Sequence, residues 1–228
     1  MNMTSKTTFG LSGSALKVIA LISMVIDHVA LYLMEQGTLL YETMRCIGRI
    51  AFPVFAFLIA EGFIHTKNRY RYFFTLLGFA VVSEIPWYLL NGADGTHNVM
   101  FTLALGVATL MVLENLLQRS PIQGFLWTLG MAGLASWLRV DYEWRGILVI
   151  VIFYLFKEYG DSFPYSRGMQ FFCTFTLMMY YGITGILLAH FVISRYDGTR
   201  GFIHSMLAKY GFYTIYPIHI IVLILFLL

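Results

Sequence analysis

Charge is scarce in this chain. Only 12% of its 228 residues are Asp, Glu, Lys or Arg, about half the share carried by soluble domains. With 59% hydrophobic residues and a mean hydropathy of +0.74, most of the chain has the bilayer rather than water as its solvent. Cysteine is nearly absent. Cys46 and Cys173 are far apart, form no metal motif and read as two small apolar helix residues. No glycine-rich phosphate loop, serine nucleophile elbow or thiol pair is present. ATP-driven chemistry, a serine triad and thiol redox work therefore have no residues to carry them. No basic patch with interleaved aromatics appears, so no nucleic-acid partner is expected. The net charge of +3 comes mostly from loop ends and bears on orientation. No convincing internal repeat is visible, which argues against an inverted-repeat transporter. The first apolar run has no small-residue cleavage site after it and reads as a retained helix.

What is present is hydrophobic sequence in spans. A polar, Ser/Thr/Gly-rich lead-in at 1–13 precedes apolar stretches at about 15–35, 49–66, 71–91, 98–117, 122–138 and 144–158. The stretch 168–193 is one long helix or two short ones, and 212–228 is a last span. The expected fold is an all-α polytopic membrane protein with eight or nine transmembrane helices, a single domain over 1–228. The 20 Phe, 15 Tyr and 4 Trp fit interfacial belts and helix packing.

The most basic short connector, 66–71, carries Lys67, Arg69 and Arg71 and should be cytoplasmic, which puts the N-terminus inside. With 168–193 as two segments, eleven cations, Lys6 among them, fall inside, and four fall outside: Arg45, Arg49, Arg139 and Arg145. With one segment the count is eight against seven. Charge therefore prefers nine spans, although two pieces of about 13 residues are short for ~30 Å of hydrocarbon.

The polar groups inside these spans are few. Lys17 and His28 share nearly one face of the first span, roughly 16 Å apart along its axis. Ionisable groups at that depth are costly and mark function. Asp27 points about 100° away from His28, so it cannot orient that ring without a bend; it pairs with a cation on a neighbouring helix. Arg45 and Arg49 share a face at the outer start of the second span. Arg49 is a snorkelling anchor or a site residue. Glu84, with Pro86 nearby to permit a kink, should be paired or protonated, with Arg49 as the structural partner. Asn98 and Thr102 cap the fourth span or donate to a carbonyl. Glu61 and His65 are four apart but lack a third ligand, so no metal is expected. His219 in the last span is a bonded buried histidine or a reserve base. His97, His190 and His204 read as loop or helix-end residues.

The runs Asp27-His28, Gly48-Arg49-Ile50-Ala51-Phe52-Pro53 with Glu61-Gly62, Ser83-Glu84-Ile85-Pro86-Trp87 and Asn98-Val99-Met100-Phe101-Thr102 resemble the TraX family. That family is named for the membrane protein that acetylates the N-terminus of F-type conjugative pilin. The resemblance is dense over 14–110 and returns at Tyr216-Pro217-Ile218-His219; between 120 and 205 it is mostly hydrophobic pattern. The Lys17-x₁₀-His28 spacing is similar to the Arg/Lys-x₁₀-His signature of the acyltransferase-three membrane enzymes. Those, with heparan-α-glucosaminide N-acetyltransferase, move an acyl group from cytosolic acyl-CoA to an acceptor across the membrane.

The resemblance implies an acetyltransferase of the bacterial cytoplasmic membrane, with acetyl-CoA as donor and membrane lipid around it. The acceptor is a pilin-like peptide N-terminus or a glycan. The donor phosphates would meet Lys17, Lys67, Arg69 and Arg71 at the inner mouth. His28 would be general base or covalent acyl carrier, with Glu84 or Asp27 orienting it. Arg49, or Asn98 with Thr102, would polarise the carbonyl oxygen. Two other readings are a proton-coupled permease using Asp27, His28 and Glu84, and a non-catalytic assembly factor.

Overall fold

The computed structural model describes residues 10–162, 164–203 and 205–228. Lys6 and His204, both read above, lie outside the described residues. Among those residues the chain folds into ten α-helices and no β-strand. They are α1 (Gly13–Leu33), α2 (Leu39–Gly48), α3 (Ala51–His65), α4 (Arg69–Asn91), α5 (Val99–Arg119), α6 (Pro121–Trp137), α7 (Glu143–Tyr159), α8 (Ser166–Met178), α9 (Ile183–Ser194) and α10 (Met206–Leu227). Helices are what a spanning chain must form, because lipid offers no partner for a free peptide group. Their starts are written locally. Ser12, Thr38, Asn68, Asn98 and Ser205 each turn a side-chain oxygen onto a first-turn N–H, and Pro121 opens α6.

Among the described residues five helical segments are long and apolar enough to cross a membrane: Gly13–Leu33, Leu39–His65, Arg69–Asn91, Val99–Arg119 and Met206–Leu227. The second is broken at Arg49–Ile50 into α2 and α3. The expected span at 49–66 thus has an amphipathic helix in front of it that hydropathy did not mark. The last helix begins at Met206, six residues earlier than expected. The stretch 168–193 is two helices. Gly182, at φ 134°, and the 3₁₀ turn Met179–Tyr181 reverse the chain. Thr174 Oγ1 then meets His190 Nε2 at 3.0 Å across the hairpin. His190 is therefore an interhelical residue rather than a helix-end one.

The two ends of the bundle are defined by tertiary pairs. At the end where α1 starts, here the proximal end, Leu11 pairs with the 195–197 segment, Arg69 binds Glu114 through both guanidinium nitrogens, and Lys157 Nζ lies 3.3 Å from Glu61. The loop after α9 has thus returned to the end where α1 begins. At the distal end, Tyr32 donates to Asn91 at 2.7 Å, and His97 pairs by backbone with Arg139 and Asp141.

Helix α3 lies at the centre, packed by α1, α5, α7 and α9. Val54, Ala56, Ala60 and Phe63 are fully buried there. Small side chains at such contacts let backbones approach. Gly185 shows the same device: a Cβ there would fall 2.4 Å from the Cys46 carbonyl and 2.5 Å from Arg49 Cβ. Its absence seats α9 against the α2–α3 break.

Candidate functional site

His28 lies fifteen residues into α1, ~22 Å from its start at 1.5 Å per residue, and so in the distal half of the bundle. Helix α10 brings His219 to the same depth. His28 Nδ1 and His219 Nε2 are 2.7 Å apart, and the rings stack with centroids 5.0 Å apart. His219 Nδ1 lies 3.2 Å from the Ile215 carbonyl oxygen. A carbonyl only accepts, so His219 Nδ1 carries a proton. In a neutral pair its Nε2 then carries the lone pair, and His28 Nδ1–H donates to it. The lone pair of His28 is left on Nε2, which has no protein partner among the described residues. A histidine 191 residues away in sequence thereby sets which nitrogen of His28 is basic.

Asp27, as expected, meets a cation on a neighbouring helix. Arg45 Nη1 donates to its Oδ2 at 2.6 Å. The carboxylate is seated on Gly48, where a Cβ would come within 2.2 Å of Oδ1, and that oxygen is buried without a hydrogen bond. Arg49 follows at the helix break. Its charge acts on both Asp27 and Asp141, and no carboxylate among the described residues comes within 4.0 Å of it. It stands beside an aromatic stack in which Tyr142 lies between Phe52 and Tyr181, at 3.7 and 4.9 Å.

Asp141 belongs to the distal α6–α7 turn, whose Arg139, Asp141, Glu143 and Arg145 read in sequence as an outer rim loop of self-paired charges; among the described residues no salt bridge joins them. Three non-glycine residues of this turn, Arg139, Tyr142 and Glu143, have φ of 52°, 63° and 44°. Such conformations cost energy and persist where surrounding contacts hold them. Here the holders are the His97 pairing and the Thr102 hydroxyl, which donates to the Asp141 carbonyl. Burial pushes the Asp141 carboxyl up to about 6, opposed by the Tyr142 N–H that it accepts.

Glu84 is not paired with Arg49. It accepts from His97 Nδ1 at 2.5 Å and from Asn98 Nδ2 at 2.6 Å. Neither it nor Asp27 contacts the His28 ring; the orienting partner is His219. His97 is thus a paired residue of this end, legible beforehand only as a histidine beside a capping asparagine. Asn98 caps α5 through Met100 N–H and spends its other amide proton on the Ala80 carbonyl. With Thr102 engaged on Asp141, both side chains expected near a substrate carbonyl hold the scaffold. Tyr216 connects the two groups of residues: its ring lies 5.3 Å from that of His219, and its charge environment includes Glu84 and Asp141.

At the proximal end Lys17 is near Lys209 and Arg200, and Lys209 is also near Arg71. None of these four cations is within salt-bridge distance of a carboxylate among the described residues. Arg200 and Lys209 carry no sequence signal beyond their sign; the fold brings them here. Lys67 is exposed in the α3–α4 turn. Arg69 is committed to Glu114 and to the Phe63 face. Glu61, 8% exposed, accepts from Tyr196 at 3.0 Å and faces Lys157 and His65. It is a paired helix end.

The fold and these buried charges define a helical membrane protein with a polar cluster sunk into one half of its bundle. The chain belongs to the TraX family, whose description, TraX protein, matches residues 12–227. It is 31% identical to a probable fimbrial assembly protein FimC of Dichelobacter nodosus, over 93% of this chain and 94% of that one. It is 34% identical to an uncharacterized protein, RP591, of Rickettsia prowazekii over 61% of this chain and 52% of that one. No solved structure matches it.

Proposed function

We propose that this protein is a membrane-embedded acetyltransferase that moves an acetyl group from acetyl-CoA to an amine at the far side of a bacterial cytoplasmic membrane. The observation that carries the reading is the Ile215–His219–His28 chain, which leaves the Nε2 lone pair of His28 free in the distal half. The fimbrial assembly name of the D. nodosus relative supports an exported pilin-like peptide as acceptor.

The chain crosses nine times, with α8 and α9 as short crossings, and its proximal end faces the cytoplasm. The return of the 195–203 loop to the start of α1 supports an even number of crossings between them. The cations then divide as the positive-inside rule requires. Lys17 and Arg200 receive the donor phosphates, and the thioester reaches the level of His28.

There His28 Nε2 takes the proton of the acceptor N–H as its nitrogen attacks the thioester carbonyl. The C–S bond breaks, and the imidazolium returns the proton to the CoA thiolate. The products are an N-acetyl acceptor and CoA with its free thiol. Arg49, with no carboxylate in contact, faces the oxygen that gains charge. Asp27 and Arg45 hold the adjoining helices in place. Transfer by way of an acetyl group on Nε2 uses the same lone pair.

The test incubates the purified protein in proteoliposomes with radiolabelled acetyl-CoA and peptides whose α-amino group is free or blocked. Label should reach only the free amine. Label on neither peptide, with hydrolysis at the blank rate, would count against the proposal. Label retained on the protein identifies the covalent route.

A further inference from the structure

Helices α4 and α10 enclose a groove of about 430 Å³ on the membrane-facing surface, lined by Arg71, Phe74, Gly78, Phe79, Val82 and Tyr210, with Thr75 on its wall. We propose that it binds one acyl chain of an anionic phospholipid of the proximal leaflet, with the headgroup phosphate at Arg71 and Lys209.

Three observations single out this occupant. The first is length. Arg71 to Val82 is eleven residues, ~16 Å of helix, which matches one leaflet of a hydrocarbon core ~30 Å thick. The second is polarity. Phe74 and Val82 are 61% and 58% exposed, and a Cβ on Gly78 would meet nothing within 4 Å, so the floor is apolar and open. Of the two hydroxyls there, that of Thr75 is spent on the Arg71 carbonyl at 2.7 Å, and that of Tyr210 is held at the Arg71 mouth. A pantetheine arm would lay its amides against this floor unsatisfied, at the cost of burying unpaired polar groups. A methylene chain has none to satisfy. The third is charge at the mouth. Arg71 Nη2 contacts the Met206 sulfur at 3.0 Å, a weak acceptor. Lys209 stands near Arg71 and Arg200 with no carboxylate in salt-bridge range among the described residues. A headgroup with net negative charge neutralises that cluster, and a zwitterionic one does so poorly. The site is independent of acetyl transfer.

Native mass spectrometry of the full chain, titrated with phosphatidylglycerol and phosphatidylethanolamine of identical chains, tests this. One phosphatidylglycerol should bind at least tenfold more tightly than phosphatidylethanolamine. Arg71→Ala with Lys209→Ala should abolish that preference. Gly78→Phe should release the lipid with the cations intact, and Arg71→Glu, a change at an exposed residue, should invert the preference if Gly78→Phe fails to fold. Equal binding of the two lipids would overturn the proposal. So would unchanged phosphatidylglycerol binding in Gly78→Phe or Arg71→Glu, or full displacement of the lipid by inorganic phosphate or by CoA.

Discussion

Two polar clusters, one at each end of the bundle, hold charge in opposite ways. At the distal end Arg45 is bonded to Asp27, Glu84 to His97 and Asn98, and the charge of Arg49 acts on both Asp27 and Asp141. At the proximal end Lys17, Arg71, Arg200 and Lys209 gather with no carboxylate in contact among the described residues. Buried charges must be paired to be tolerated, whereas cations at a membrane edge are tolerated unpaired and attract anions. The distal end is therefore a fixed device in which a histidine is held in one tautomer. The proximal cluster has the charge to hold an anion. The proposed acetyl transfer draws on both.

Four perturbations separate these roles. Asp27→Ala should have the largest effect, because it leaves Arg45 without its carboxylate at a site where the Arg45 and Asp27 side chains are only 16% and 13% exposed. Loss of one partner of a buried pair costs roughly 3 kcal/mol. Thermal unfolding in detergent would read it, and an unchanged midpoint would mean the distal charges are not a fixed device. Next is His219→Phe, which keeps a ring but removes the acceptor for His28 Nδ1–H. Turnover should fall about a hundredfold, within the range of general-base catalysis, with KM for acetyl-CoA nearly unchanged. A shift in the pH–rate profile is expected as well, because either nitrogen of His28 can then carry the proton. An effect confined to KM would contradict the tautomer role.

At the proximal end Lys17→Ala should raise KM for acetyl-CoA about tenfold, the magnitude of one lost charge-assisted contact, and leave turnover intact. High salt should weaken donor binding in the native protein more than in the variant. The smallest effect belongs to Asp141. Its carboxyl is raised by burial to about 6, so between pH ~4 and 6 the folded state holds more protons than the unfolded one. Stability should therefore fall as pH rises through that window and level off above it. Asp141→Asn should flatten the slope in a series of melts.

Much of this contrast could be read from the chain beforehand. Depth follows from helical rise, so the placing of Lys17 near one edge and His28 far inside needed no structure. The rule that a buried carboxylate seeks a cation led to Asp27 pairing across helices, and Arg45 is that cation. Long-range pairing was the hidden part. His28 and His219 are 191 residues apart, and no periodicity relates them. The same holds for Lys17 with Arg200 and Lys209. Glu84 looked deep enough to need Arg49, but the loop after α4 folds His97 back over it, a turn that hydropathy cannot foresee. Helix α2 was missed because its apolar residues are interrupted by Glu42, Thr43 and Arg45. Its start was signalled only by Thr38, which accepts from Tyr41 N–H.

The central claim is that His28 Nε2 performs or carries the transfer. Its most direct test compares native protein with His28→Ala in proteoliposomes, following radiolabelled acetyl from acetyl-CoA to a peptide with a free α-amino group. Transfer should fall about a thousandfold, within the range for loss of a general base, while acetyl-CoA still binds with native affinity. Transfer by His28→Ala at the native rate would contradict the account.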